Sequence, residues 1–227
     1  MTDIKKMING YPLLRSNRRS ISISVNRDGQ VTIHAPLLAP ERDIRRFVEA
    51  KADWIQKAQA KQQEKKELAP VFAVGGMLPY LGGEIRVLTG DVRKAELTGN
   101  VLTLPRTGDP ARHTLNWLAQ QAKAFLPERI SQWSKVMGIV PTSLTIANPK
   151  TRWGSMKSDG SLRLNVALMH CAPSLIDYVI VHELSHRVHM NHSPAFHAHV
   201  ARYLPDAESR RKALKQLGGY LTLFRKE

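Results

Sequence analysis

The chain has 227 residues, with 34 Lys+Arg against 19 Asp+Glu and 42% apolar residues, enough to bury a core as one domain or two small ones, which excludes a peptide, a fibre and wholesale disorder. Its one cysteine, Cys171, excludes an internal disulfide framework, and no window approaches the ~20 consecutive apolar residues of a membrane-spanning helix. The formal net charge of +15 is spread as +6, +3 and +6 over residues 1–70, 71–140 and 141–227, a diffuse excess that fits weak polyanion or nucleic-acid association better than a dedicated basic tail.

In chain order, Ile21, Ile23 and Val25 alternate with serines, Asn26-Arg27-Asp28-Gly29 has turn chemistry, and Val31, Ile33 and Ala35 resume the period of two. This predicts a β-hairpin. After Pro40, Ile44, Phe47, Val48, Trp54, Ile55 and Ala58 recur at helical spacing into the polar run Lys57 to Glu67, and predict one long amphipathic helix. Gly75-Gly76 and Gly82-Gly83 bracket Leu78-Pro79-Tyr80-Leu81, followed by two expected short strands, Ile85 to Leu88 and Glu96 to Leu104.

The breaker-rich stretch Pro105 to Pro110 marks the expected boundary between a front module, residues 1–105, and a back module, residues 106–227. Leu115, Leu118, Ala119, Ala122, Phe125 and Leu126 predict a helix that Pro127 should kink or split before Ile130, Trp133 and Met137. Leu144 and Ile146 alternate on a strand, and Lys157-Ser158-Asp159-Gly160 predicts a second hairpin joining Trp153-Gly154-Ser155 to Leu162-Arg163-Leu164. The pattern is α+β: a hairpin and helix module, then a helix and sheet domain.

Six of the nine histidines lie between His182 and His199. Within them His182-Glu183-Leu184-Ser185-His186 has the H-E-x-x-H spacing, and on a helix residues four apart project from one side and can hold one metal ion with both imidazoles. Ser174 and Asp177 resemble a capping box, and Ile176, Ile180, Leu184 and Val188 suggest an apolar stripe opposite Tyr178, His182, His186 and His189. A catalytic zinc wants three protein ligands and one open position. His189 lies a further turn along the axis, whereas His192 can fold back if the helix ends first. Asn191 tolerates a helix-ending conformation, and Ser193-Pro194 has N-cap and first-turn chemistry for a new helix. His182, His186 and His192 are therefore the expected metal ligands, at the ligand spacing of metzincin proteases, although His189 stands where those carry Gly. With this composition, H-E-x-x-H plus the added His arises about once in 1,600 random shuffles. His34, His113 and His170 are expected to be core histidines, and His189, His197 and His199 surface or supporting residues.

Arg152-Trp153-Gly154-Ser155, Arg163-Leu164-Asn165, Asp177-Tyr178-Val179, the His182–His186 motif and Asn191-His192-Ser193-Pro194, with Arg18-Arg19-Ser20-Ile21-Ser22, Ala35-Pro36, Trp54-Ile55 and Leu78-Pro79-Tyr80-Leu81-Gly82 in front of them, resemble the YgjP-like metallopeptidase family, a relative of SprT-like and other minimal zincin domains. The resemblance implies an α+β fold with a zincin-like back half, His182, His186 and His192 as zinc ligands, and Glu183 as general base. Met156 and His197 depart from it, standing where relatives usually carry Cys and an aromatic.

The expected activity is that of a zinc-dependent metallohydrolase, foremost a metallopeptidase: Zn²⁺ held by neutral imidazoles lowers the pKa of its water towards roughly 7, and Glu183 moves the proton. The Trp153-Gly154-Ser155 strand offers an edge to an extended peptide or protein substrate. Tyr178 could assist the oxyanion, and Arg152 and Arg163 could bind an anionic group, although packing and solvation are the plainer roles. Two other readings are a metal-dependent nucleotide phosphohydrolase, which the imidazole donor set disfavours, and a nucleic-acid-associated zinc protein, which lacks a reading motif here. The lone cysteine, and the lack of a leader-like apolar stretch after Met1, make the cytoplasm the expected compartment, with no membrane association.

Overall fold

The computed structural model describes residues 6–26, 28–67 and 70–224, with side chains to Glu64 in the second stretch. Arg27 of the first predicted turn, the residues just after Met1 and the side chains of Lys65–Glu67 lie outside this description. The chain divides into two compact units, residues 1–69 and 70–227.

In the first unit, β1 (Lys6–Ile8), β2 (Tyr11–Ser16), β3 (Ser22–Val25) and β4 (Val31–Pro36) form one sheet in the order β1-β2-β4-β3. The alternation read at 21–35 is the antiparallel β3–β4 hairpin, with Ile23 opposite Ile33; the Asn26 side chain accepts the Asp28 and Gln30 N–H groups and closes the turn. The predicted single helix is two, α1 (Glu41–Glu49) and α2 (Ala52–Glu67). The ladder tightens to a three-residue bond, Lys51 N–H to Val48 carbonyl, and restarts with Ile55 N–H on Lys51. Both Val48 and Ile55 thereby enter one core with Ile8, Leu13, Ile33 and Ile44.

The second unit begins with β5 (Met77–Tyr80), β6 (Gly83–Gly90), β7 (Glu96–Thr98) and β8 (Val101–Pro105), ordered β5-β6-β8-β7 with β6 and β8 parallel. The first expected strand is β6, which the turn at Gly82 pairs with a further strand, β5, in the Leu78–Tyr80 stretch, and the second is split by the turn at Gly99 into the β7–β8 hairpin; both glycines have positive φ. Leu102 and Leu104 of β8 share a core with Trp117 and Leu118 of α3 (Pro110–Met137). The division of the chain thus falls at 69/70, and the 105–110 stretch is the loop inside the second unit in which Asp109 caps α3. Pro127 does not split α3, which runs unbroken through it.

Next come β9 (Ser143–Ala147), β10 (Gly154–Met156) and β11 (Ser161–Asn165), in the order β10-β11-β9, with β9 parallel to β11. The predicted second hairpin is the β10–β11 pair, its turn made by Gly160 at φ +87°. A 3₁₀ segment (Val166–His170) leads into α4 (Pro173–Ser185), α5 (Pro194–Tyr203) and α6 (Ala207–Gln216), and a second 3₁₀ segment (Leu217–Thr222) follows. Six α-helices and three mixed sheets among the described residues make an α+β protein. No described helix is long and apolar enough to cross a membrane.

Candidate metal centre

The site is built from α4, β10 and the turn after α4. The helix starts with Pro173 at N1 behind Ala172, without a side-chain cap. The predicted Ser174/Asp177 box does not form, because Asp177 accepts two bonds from the Arg129 guanidinium of α3. Nor is α4 striped. It is buried on nearly every side, from Ile176 through Ser185, and Val188, placed by periodicity on its core face, lies beyond its end at 53% exposure. An all-round buried helix has no polar stripe to read.

α4 ends at Ser185, with His186 as its C-cap in right-handed conformation. The chain then turns through residues 186–193. The Arg187 side chain bonds the Ser158 carbonyl in the β10–β11 turn, and Ser193 caps α5 by accepting the Phe196 N–H, with Pro194 in its first turn. This reversal brings His192 back to the helix.

His182, His186 and His192 each offer one nitrogen, all within 4.8 Å of one another. Nε2 of His192 stands 3.1 Å from Nε2 of His182. Tetrahedral zinc at ~2.0–2.1 Å from each imidazole holds its ligand nitrogens about 3.3–3.4 Å apart, so the spacing suits such an ion. Nδ1 of His186 lies 3.1 Å from the His189 carbonyl; an Nδ1–H donated there leaves Nε2 free as the ligand atom. Burial, then the neighbouring imidazoles, pushes His182 down to about 3, so it is neutral at physiological pH. Three imidazoles form a donor set suited to zinc and ill suited to magnesium.

Glu183 is 7% exposed. Burial pushes its carboxyl up to about 7, against the opposing pull of the Met156 N–H and of Arg152. Its side chain lies over Gly154, where a Cβ would come within 2.8 Å of both Cγ and Oε1 of Glu183. The carboxyl is thus seated between its own helix and the edge strand β10. Around it opens a cleft of about 760 Å³, lined by Arg152, Trp153, Gly154 and Ser155 at the start of β10, by Tyr178 of α4 and by Arg211, Leu214 and Lys215 of α6. Helix, histidine triad, buried carboxyl and cleft occur together in one compact unit.

The YgjP-like metallopeptidase domain model matches residues 19–217. The chain belongs to the YgjP-like family. Among solved structures it is similar to the zymogen of abylysin from Pyrococcus abyssi, at 18% identity and a TM-score of 0.37 over 40% of this chain and 91% of that one. It is also similar to the zymogen of jannalysin from Methanocaldococcus jannaschii, at 21% identity and a TM-score of 0.36 over 40% of this chain and 93% of that one. No curated protein matches the chain significantly.

This YgjP-like site has a floor that spacing alone does not reveal. Phe196 is fully buried, with its ring centroid 4.9, 4.6 and 4.9 Å from those of His182, His186 and His192. An apolar ring there orients the imidazoles and keeps water from beneath them. The remaining histidines separate. His197 lines the cleft, its ring 6.3 Å from that of His192, while His189 and His199 face each other at 5.6 Å. His170 is a core histidine, but His34, which bonds Ser24 across β4 and β3, and His113 on α3 are only half-buried, so neither sits in the core expected for it. Arg163 is exposed on β11 and is not part of the cleft lining. Trp153 packs against the core and also lines the cleft.

Proposed function

We propose that the protein is a zinc-dependent metallopeptidase, with His182, His186 and His192 holding the ion and Glu183 as general base. The observation that carries this reading is the convergence of three imidazoles beside one buried carboxyl; membership of a metallopeptidase family supports it. Zinc bound there would supply a Lewis acid for the scissile carbonyl and lower the pKa of water towards roughly 7.

The chain's own residues would do the rest. Glu183, held near neutrality by burial, takes a proton from the attacking water and passes it to the leaving nitrogen, the task for which a carboxyl titrating near the working pH is suited. Gly154 and the Met156 N–H fix where that carboxyl sits. β10 is an edge strand and can take an extended peptide by strand addition, with Trp153 and Ser155 beside it in the cleft. Tyr178, its ring 5.8 Å from that of His182 and its hydroxyl kept protonated by burial, can donate towards a developing oxyanion. The lone buried thiol of Cys171 suits a reducing cytosol. Nucleotide hydrolysis and a structural zinc role have less support, since the donor set is all imidazole and a buried base adjoins it.

The test is elemental analysis combined with peptide hydrolysis. Wild type should carry about one zinc per chain, His182→Ala should lose it, and Glu183→Gln should keep it while turnover falls by roughly 10²–10⁴. A wild type that binds no divalent metal, or a Glu183→Gln variant that still cleaves, overturns the reading.

A further inference from the structure

The charged groups around the cleft are one-sided. Among the described lining residues the sole carboxyl is Glu183; the other charged side chains are Arg152, Arg211 and Lys215. The three cations are not one surface patch. Arg152 precedes β10 and is close enough to Glu183 to favour its ionised form. Arg211 and Lys215 lie one turn apart on α6, on the Tyr178 side of the cleft, with Leu214 completing that wall. Arg211 is gripped by Glu208 through two 2.8 Å bonds, which fix its guanidinium and answer part of its charge. Arg152 and Lys215 make no ion pair among the described residues. Cations of one sign lining a concave, partly apolar groove focus their field on what enters it, an effect that uniform surface charge does not give.

We propose that this cleft selects acidic peptides, with Arg152 taking a carboxylate on the β10 side of the scissile bond and Lys215, beside the Glu208-held Arg211, taking one on the α6 side. The inference rests on the metallopeptidase reading and names its substrate class. Phosphate chemistry fits less well. The cleft offers no glycine-rich phosphate cradle, and the imidazole donor set is not that of a magnesium–nucleotide site. Lysine-rich peptides are disfavoured by like-charge repulsion at both walls.

The experiment uses the full chain loaded with zinc and three quenched fluorogenic peptides, identical except for Glu, Ala or Lys at the residues on either side of a common core. The expected order of kcat/KM is Glu above Ala above Lys, at least 10-fold from first to last, carried by KM more than by kcat. Raising salt from 50 to 300 mM should flatten it. Lys215→Glu, an exposed change checked for zinc content and circular dichroism, should reverse the order for the Glu and Lys peptides; Arg152→Gln should compress it. The same peptides are titrated by fluorescence anisotropy into zinc-loaded Glu183→Gln, so that affinity is read where turnover is slow. Equal cleavage and equal affinity for all three peptides overturn the inference while the peptidase reading stands. Hydrolysis of nucleoside triphosphates with no cleavage of any peptide overturns both.

Discussion

Gly154 on β10 and Glu183 on α4 are in contact as backbone against carboxyl: a Cβ placed on residue 154 would stand 2.8 Å from Cγ and Oε1 of Glu183 and 3.1 Å from its Cδ. Gly154 does not have a left-handed φ, so the glycine answers a close approach and no turn requirement. The sheet edge and the helix can approach only because residue 154 has no side chain, and that approach buries the carboxyl.

Gly154→Ala is therefore expected to displace the Glu183 carboxyl and leave the imidazoles in place. Peptidase turnover should fall about 10- to 100-fold with zinc content unchanged, since a shift near 1 Å at a reacting group costs on this order. Metal analysis beside kcat measurement checks it; loss of zinc would show that the strand supports the ligands as well.

Phe196 touches all three imidazole rings from below. Phe196→Ala should cost roughly 3–5 kcal/mol of stability, the range for emptying a buried aromatic site, and lower zinc affinity about 10- to 100-fold as the rings lose their support. Phe196→Leu should recover most of the stability and less of the affinity, because it refills the volume without the flat surface. Chemical denaturation and competition with a chromophoric chelator separate the two effects.

How much of this was legible in the sequence depends on how local each feature is. The three histidines lie within eleven residues, so helical spacing and the Ser193-Pro194 start bring the imidazoles together, although α4 ends at Ser185 and not at Asn191, which is not left-handed; the two hairpins are equally local. What escaped reading is held by distant partners. Asp177 is taken by Arg129, 48 residues away, and not by a cap; Gly154 meets Glu183 across 29 positions; and α4, covered all round, offers no stripe. The breakers at 105–110 look like a boundary because they end a sheet and start a helix, but Leu104 and Trp117 on either side share one core.

Burial of Glu183 has a stability cost whose sign is fixed. Its carboxyl rises from an ordinary 4.5 to about 7 in the fold, so in metal-free protein the folded state binds the extra proton. Its contribution is full below pH ~4.5 and is lost as pH rises through about 7. The displacement is worth on the order of 3 kcal/mol. Metal-free Glu183→Gln should accordingly melt several degrees above metal-free wild type at pH 8, with the gap closing towards pH 4.5. A gap independent of pH would contradict the buried carboxyl.

His170 works in the opposite direction. Nδ1 lies 2.9 Å from the Pro79 carbonyl and donates to it, while Nε2 is buried beside the rings of Tyr220 and Phe224 with no partner among the described residues. Protonating Nε2 would bury an N–H that nothing accepts, and burial pushes this histidine from 6.5 down to about 4. The unfolded chain therefore binds the proton first as pH falls. Stability tied to His170 is full above pH ~6.5 and is lost on the way down through about 4, on the order of 3 kcal/mol in all. His170→Asn, whose amide can still donate to Pro79, should be less stable than wild type at pH 8 through lost ring packing, yet should fall less steeply between pH 6.5 and 4. Urea midpoints across that interval measure the slope, and parallel curves for the two proteins would remove His170 as the source of the acid limb.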